Sequence, residues 1–367
     1  MPLPLTSLVR EIVFLEPTLV SLLGAIALHA AIWLVIHNYE WGGMKYIKNA
    51  VQTYLPYKTI QSNYEGDPAV ELLGMEKEPG LVYVWNLGIL LHHTIGGAFC
   101  FAGWYYGLPW LFRHGILTEV AGLDMLDLFY RIPQCFLAPP GPFPTAAMIK
   151  DGGTFSPYMC LQVFHHSVGM SVGLVSVLYF AHLPEHQWFG FVLLGGPFAA
   201  IAPGLLANLV PPEYYKVHAL DKFIQWAVFG VHQRAYYFFP ATIALVKSVI
   251  AQPVPLVAKV ATCYAAVVMT LFNLIVLSAV TDSLRLALMS LKGSGSVPTD
   301  VDNSNCHPPP RLIRRRSSGL AVGGVGMIYL QLGNMDFGGA ARTAALLLAQ
   351  QGAAKIKGKA VGKAKEA

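Results

Sequence analysis

The chain is short of charge. Asp, Glu, Lys and Arg make up 12% of its 367 residues, about half the share of roughly 25% found in soluble domains. Four stretches, 81–112, 152–184, 186–212 and 260–281, contain none of them. Cysteine is scarce as well. Cys100, Cys135, Cys160, Cys263 and Cys306 form an odd set without a C-x-x-C spacing, which excludes a disulfide framework and a zinc site. No N-x-Ser/Thr triplet occurs, so glycosylation marks no loop as lumenal. What fills the space is apolar: hydrophobic types reach 54% and the mean hydropathy is +0.50. Runs near ~20 apolar residues have the length of a bilayer crossing. A soluble enzyme, a disordered chain and a secreted disulfide scaffold are thereby excluded.

The hydropathy pattern predicts an all-α, multi-pass transmembrane helix bundle of about seven spans, at 17–37, 81–110, 116–137, 157–181, 187–210, 224–249 and 255–282. Residues 1–80 read as an N-terminal span followed by an exposed polar loop, 81–290 as the bundle, and 291–367 as a flexible linker and basic tail. The first stretch is too long for a signal-peptide core and has no basic leader, so it reads as an anchor. Ala138-Pro139-Pro140-Gly141-Pro142 and Pro211-Pro212 are helix breakers.

Charge is uneven along the chain. From Arg311 onward the balance is +8, and before it −3. A neutral body with a basic tail lacks the basic face of a nucleic-acid binder. The positive-inside rule places the tail in the cytosol, with 340–367 able to lie on the leaflet as a basic helix. Seven spans then put the N-terminus in the lumen and make spans two and four parallel. Lys363 and Lys365 have the spacing of a dilysine retrieval signal, which points to the endoplasmic reticulum. Arg314-Arg315-Arg316-Ser317-Ser318 reads as a solvated charge run that also fits a basophilic-kinase site. Membrane lipids are the expected partners, with self-association into a homo-oligomer as a further expectation.

The strongest local signal is a repeated doublet. His92-His93-Thr94-Ile95-Gly96 recurs as His165-His166-Ser167-Val168-Gly169, each inside an uncharged run. Polar groups in hydrocarbon are expensive, so an intramembrane histidine marks a functional site by default. Counting ~1.5 Å per residue from the start of each span puts the doublets at similar depths. Neighbouring helical residues diverge in direction, so one ring of each doublet suffices to face a shared cavity. The alternative is that the rings only hydrogen-bond between helices. Asp124, Asp127 and Arg131 follow at i, i+3 and i+7 along one helix face. Asp127 and Arg131 can neutralise one another, whereas a buried Asp124 has a raised pKa or finds a cation, a metal or a protonated histidine; the alternative is that this span lies at the interface and its acids are solvated.

Leu91-His92-His93, then Arg113-x-Gly115, then Asp124-x-x-Asp127, resembles the TLC-domain family, whose best-known members are the ceramide synthases. The resemblance covers roughly residues 80–135 by motif. It implies a helical membrane enzyme that transfers an acyl group from acyl-CoA, as substrate, to the nitrogen of a long-chain amine of the sphingoid-base type. His92 and His93 would be the catalytic doublet, with Asp124 and Asp127 as downstream acids. Members of the family also include non-enzymatic lipid regulators. The second doublet, His165 and His166, has no family counterpart and stands as a second candidate histidine site. His232 and Arg234 are candidates for a lipid headgroup or CoA phosphate, and Arg234 also suits a snorkelling position at the interface.

Other readings stay open on sequence alone. One histidine from each doublet would suit a b-type haem. His182 and His186 have H-x3-H spacing, but a proline interrupts it and no H-x-x-H-H box exists, against a di-iron desaturase. A non-catalytic structural or lipid-sensing bundle needs neither metal nor cofactor, and no resident metal or cofactor is read from the motifs.

Overall fold

The computed structural model describes residues 18–39, 41–65, 70, 75, 77–131 and 157–293. The Pro-rich breaker at 138–142, the Arg314–Arg316 run, the basic tail and Lys363/Lys365 lie outside the described residues. Every regular element among those described is a helix.

Helix α1 (Leu19–Ile36) opens on Thr18, whose Oγ1 accepts from the Ser21 amide at 3.1 Å. This satisfies one of the amides left over at a helix start. Two shorter helices follow, α2 (Gly43–Tyr54) and α3 (Tyr57–Tyr64). They correct the reading of 38–80 as an exposed polar loop. Their apolar residues fall at helical spacing, Met44 with Val51 and Ile60 with Tyr64, and these are buried against Val82, Tyr83 and Val84 of the next helix. Each helix is short and mostly polar, so its few apolar residues do not stand out in the sequence.

Polar side chains fasten α3 further. Asn63 Nδ2 donates to the carbonyls of Asn208 and Val210 at 3.0 and 2.9 Å. The Tyr64 hydroxyl accepts from Asn86 and Asn208 at 3.3 and 3.2 Å. Glu78 accepts from Lys48, Gln52 and Tyr57 at 2.8, 2.6 and 2.8 Å.

Helix α4 (Leu81–Tyr106) ends at Gly107, whose φ of 64° is the left-handed cap that glycine adopts without strain. Pro109 then starts α5 (Pro109–Glu119), a position where the missing amide costs nothing. The α4–α5 hairpin is close because both helices present small residues. A Cβ on Gly115 would stand 2.6 Å from Cys100 Sγ and 2.7 Å from the Gly96 carbonyl. In a bilayer, where apolar burial gives helices no drive to associate, such close packing is what holds them together. Past Glu119 the helix widens into π turns at Val120–Asp124 and Asp127–Arg131.

Helix α6 (Pro157–Val175) closes in a π turn, Ser176–Phe180. Helices α7 (Pro184–Leu194) and α8 (Gly196–Ala207) meet in a bend at Gly195, beside Pro197. Helix α9 (Tyr215–Ile224) runs through a π segment, Gln225–Tyr237, into α10 (Phe238–Ala251). The long α11 (Leu256–Gly293) completes the described chain.

Among the described residues, three helical segments are long and apolar enough to cross a membrane: Leu81–Tyr106, Pro184–Ala207 (α7 and α8 together) and Leu256–Met289. On α11 the exposed residues are large and apolar, Val260, Tyr264, Val267, Leu271 and Leu274, while small ones, Ala258, Thr262, Ala265 and Ala266, turn inward. A helix apolar all round, with its bulk outside, suits a lipid surround. The other four predicted stretches are helical over their described residues, and α1 is a shorter apolar helix, Val20–Ile36.

Candidate functional site

Helix α5 is the acid-bearing element, and α4 and α6 flank it with one histidine doublet each. Both doublets carry a glycine four residues after their first histidine, and both glycines face α5. A Cβ on Gly96 would lie 3.2 Å from the Gly115 carbonyl, and one on Gly169 would lie 2.6 Å from Asp124 Oδ2. The repeated His-His-x-x-Gly is therefore a packing signature. The small residue brings the helix close to α5, and the doublet one turn earlier reaches its carboxylates.

The pairing of doublet and acid differs from the one the family resemblance implies. His92 Nε2 lies 3.0 Å from Glu119 Oε2, and His93 Nδ1 lies 3.5 Å from the same oxygen. Asp124 and Asp127 instead hold the second doublet. Asp124 Oδ1 is 2.9 Å from His166 Nδ1, and Asp127 Oδ2 is 3.5 Å from His166 Nε2. Asp124 thus finds the histidine it needs, and Asp127 faces that ring as well. His165 turns the other way and stacks on Phe272 of α11, with ring centres 5.1 Å apart.

The π turn explains how one helix serves both neighbours. Its hydrogen bonds join residues five apart instead of four, so Glu119 and Asp124 come round toward one side of α5 within a single turn. His92, His166 and Asp124 are almost fully buried, and His93 keeps 15% of its side chain exposed. His92 Nδ1, His93 Nδ1 and Asp124 Oδ2 carry no hydrogen-bond partner, so the 3.5 Å approach of His93 to Glu119 is an ion-pair contact without a hydrogen bond.

Helix α1 adds a wall that the doublet search misses. His29, Trp33 and His37 repeat every fourth residue. The Trp33 and His37 rings lie 4.5 and 5.7 Å from that of His92 between centres, and Gly122 leaves the space into which the indole fits. His29 Nε2 lies 2.9 Å from Nδ1 of His114 on α5. The signal in the sequence is faint: two lone histidines four residues either side of a tryptophan in an apolar run.

Arg234 and His232 go to opposite sides of the π segment. His232 is exposed and lies parallel to Tyr236 and edge-on to Tyr237, ring centres 6.2 and 4.8 Å away. Arg234 is buried, which overturns its interfacial placement. Its Nη2 donates to the Leu193 carbonyl at 3.4 Å, and its charge sits 4.8 Å over Phe229. Leu193 is four residues before Pro197, whose ring nitrogen cannot donate to it, and Gln233 Nε2 takes the neighbouring Val192 carbonyl at 3.2 Å. Together they satisfy the carbonyls opened by the α7–α8 bend.

Among the described residues, no three His, Cys, Asp or Glu side chains are arranged to hold a metal ion. His182 is exposed while His186 is buried against Phe180 with ring centres 4.8 Å apart, so the H-x3-H pair does not converge. Comparison with models of known protein families, with characterised proteins and with solved structures finds no match in any of the three.

Proposed function

We propose that the chain is an intramembrane acid–base catalyst of lipid metabolism, transferring an acyl group from acyl-CoA to the amine of a long-chain lipid. The observation that carries this reading is Glu119 held against both rings of the His92-His93 doublet. A carboxylate beside an imidazole fixes its orientation and stabilises its cation, the support a histidine base needs. His93 is the ring with an open edge, so His93 takes the catalytic role, while the sealed His92 and the Glu119 carboxylate position it. Its imidazole accepts the proton of the attacking amine as the N–C bond forms at the thioester carbonyl. The C–S bond breaks, and the imidazolium returns that proton to the departing thiolate. The reaction class comes from the TLC-domain resemblance; the His–carboxylate geometry is what supports acid–base work at this place.

The same proposal takes the seven helical stretches as seven spans, with the C-terminal tail in the cytosol on the positive-inside rule and the endoplasmic reticulum as the site of action. The test is acyl transfer from labelled acyl-CoA to a panel of long-chain amines by the purified full-length protein, alongside lipid profiling of a deletion strain. Turnover lost in His93→Ala supports the assignment. No turnover with any amine, together with unaltered N-acylated lipids, rejects it.

A further inference from the structure

A groove of about 360 Å³ opens between Trp226 of the π segment and the last turns of α11, and no residue of the histidine sites lines it. Its α11 wall is made by Thr281, Leu284, Arg285, Leu288 and Met289. These fall at i, i+3, i+4, i+7 and i+8, so they share one face of the helix. Thr281, Arg285, Leu288 and Met289 are exposed, and none of the described residues closes the groove over.

The lining states what kind of molecule fits. Three of its residues carry N–H or O–H groups, and two of those are already occupied. Trp226 Nε1 donates to Thr281 Oγ1 at 3.2 Å, and that hydroxyl donates to the Leu277 carbonyl at 2.7 Å. Arg285 differs. Among the described residues its guanidinium has no hydrogen-bond or ion-pair partner. Asp282 is near enough along the helix for an i, i+3 pair, yet does not make one. The groove therefore offers hydrocarbon contact and one unneutralised cation, whose planar set of donors matches the oxygens of a phosphate.

Position agrees with this chemistry. Helix α11 is uncharged over 260–281, about 33 Å at ~1.5 Å per residue, which matches a hydrocarbon layer roughly 30 Å thick. Its outward side chains there, such as Val260, Tyr264, Val267 and Leu271, are large and apolar. The groove begins where that run ends, and Arg285 stands one turn beyond it, about 6 Å further along the axis. It straddles the boundary between acyl chains and headgroups. A soluble anion would leave the leucine wall unused, and a plain hydrocarbon would leave the guanidinium unpaired. A phospholipid satisfies both. In a zwitterionic headgroup the ammonium is repelled by the same guanidinium, so a headgroup of net negative charge fits better.

We propose that Trp226 and the α11 face around Arg285 form a binding site for an anionic phospholipid, with its phosphate on the guanidinium and an acyl chain in the groove. The site stands apart from the catalytic reading, and the result of either assay leaves the other untouched.

Trp226 reports on its own surroundings. Full-length protein is reconstituted in phosphatidylcholine vesicles in which a rising fraction of the lipid is phosphatidylglycerol or phosphatidylcholine with brominated acyl chains. Quenching of Trp226 is the difference between wild type and Trp226→Phe. Half-quenching is expected at an about fivefold lower mole fraction of the brominated phosphatidylglycerol than of the brominated phosphatidylcholine, the preference one cation gives near a membrane surface. Arg285→Gln should bring the two curves together, and Arg285→Lys should keep most of their separation. Coincident curves in wild type, the mark of ordinary surrounding lipid, overturn the site. So does a preference for the zwitterion, or an undiminished preference in folded Arg285→Gln. Absence of quenching by either lipid, as a second copy of the chain over the groove would give, overturns it as well. If Trp226→Phe does not fold, the phosphatidylglycerol retained per mole of detergent-purified protein decides: retention about fivefold lower in Arg285→Gln supports the site, and equal retention overturns it.

Discussion

Oε2 of Glu119 stands 3.0 Å from His92 Nε2 and 3.5 Å from His93 Nδ1, so a single carboxylate oxygen serves two consecutive residues of another helix. Adjacent side chains on a helix diverge, and an acid can reach both only from a helix packed against the space between them. Gly96 and Gly115 allow α4 and α5 that approach.

Replacing Glu119 by Gln keeps its shape and removes its charge. Acyl transfer is expected to fall by about 10²–10⁴-fold, the range of a lost acid–base contribution, with the protein still folded. Glu119→Ala leaves two buried imidazoles without an acid and is expected to cost about 3–5 kcal/mol of stability as well. Turnover and thermal unfolding in detergent separate the two effects.

Gly169 tests the repeat as a packing device. A methyl at this position would meet Asp124 Oδ2 at 2.6 Å, so Gly169→Ala is expected to destabilise by about 1–3 kcal/mol through overpacking. Combining it with Asp124→Ala removes the clash, and the pair should cost less than the two changes added together. Unfolding temperatures of the three variants provide the check.

Two glycines of the α4–α5 hairpin should behave differently. Gly107 has a left-handed backbone but nothing within 4 Å of an added Cβ, so Gly107→Ala costs only the backbone term, roughly 1–2 kcal/mol. Gly115→Ala drives Cβ into the Gly96 carbonyl and Cys100 and must push the helices apart. The larger loss of stability is expected for Gly115→Ala, together with reduced yield of monodisperse protein.

Tyr57 carries a pH dependence outside the spans. Burial, and then its hydrogen bond to Glu78, raise its phenol above the ordinary value of 10.0. An acid whose folded pKa is raised contributes stability that is intact below its unfolded pKa and is lost as pH rises above it. Tyr57→Phe should therefore be the less stable protein at pH 8 and lose less stability than wild type between about pH 10 and 11. Chemical unfolding at the two pH values gives the difference.

Arg234 and Pro197 should be coupled. Arg234→Leu leaves the partly buried Leu193 carbonyl unsatisfied, at a cost of about 1 kcal/mol. Pro197→Ala supplies an amide in helical register with that carbonyl, so the same Arg234→Leu change should cost less in that background. A double-mutant cycle on thermal stability measures the coupling.

Much of the architecture was legible from composition and spacing. An apolar run free of charge has few options besides helix when its backbone polar groups must be satisfied internally, and the charge-free stretches follow from that alone. The doublets stood out for the same reason, since histidine is costly in such a run. The helices α2 and α3 were not legible, because Met44, Val51, Ile60 and Tyr64 are thinly spread over two short, mostly polar segments. The π turns were also hidden: no residue type marks the switch from four-residue to five-residue hydrogen bonding, and it is this switch that swings Asp124 round to His166.

Hydrophobic patterning by itself determined that this chain is a helical bundle with costly histidines and acids set within apolar helices. Partnership was decided only in three dimensions. Whether Glu119 or Asp124 answers His92 depends on helix rotation and on the reach allowed by glycines as far apart as Gly96 and Gly169. Whether His29 stands alone or meets His114 depends on a contact across 85 positions of the chain. Local sequence sets the cost of burying a charge, but only the packed fold supplies the opposite charge that offsets it.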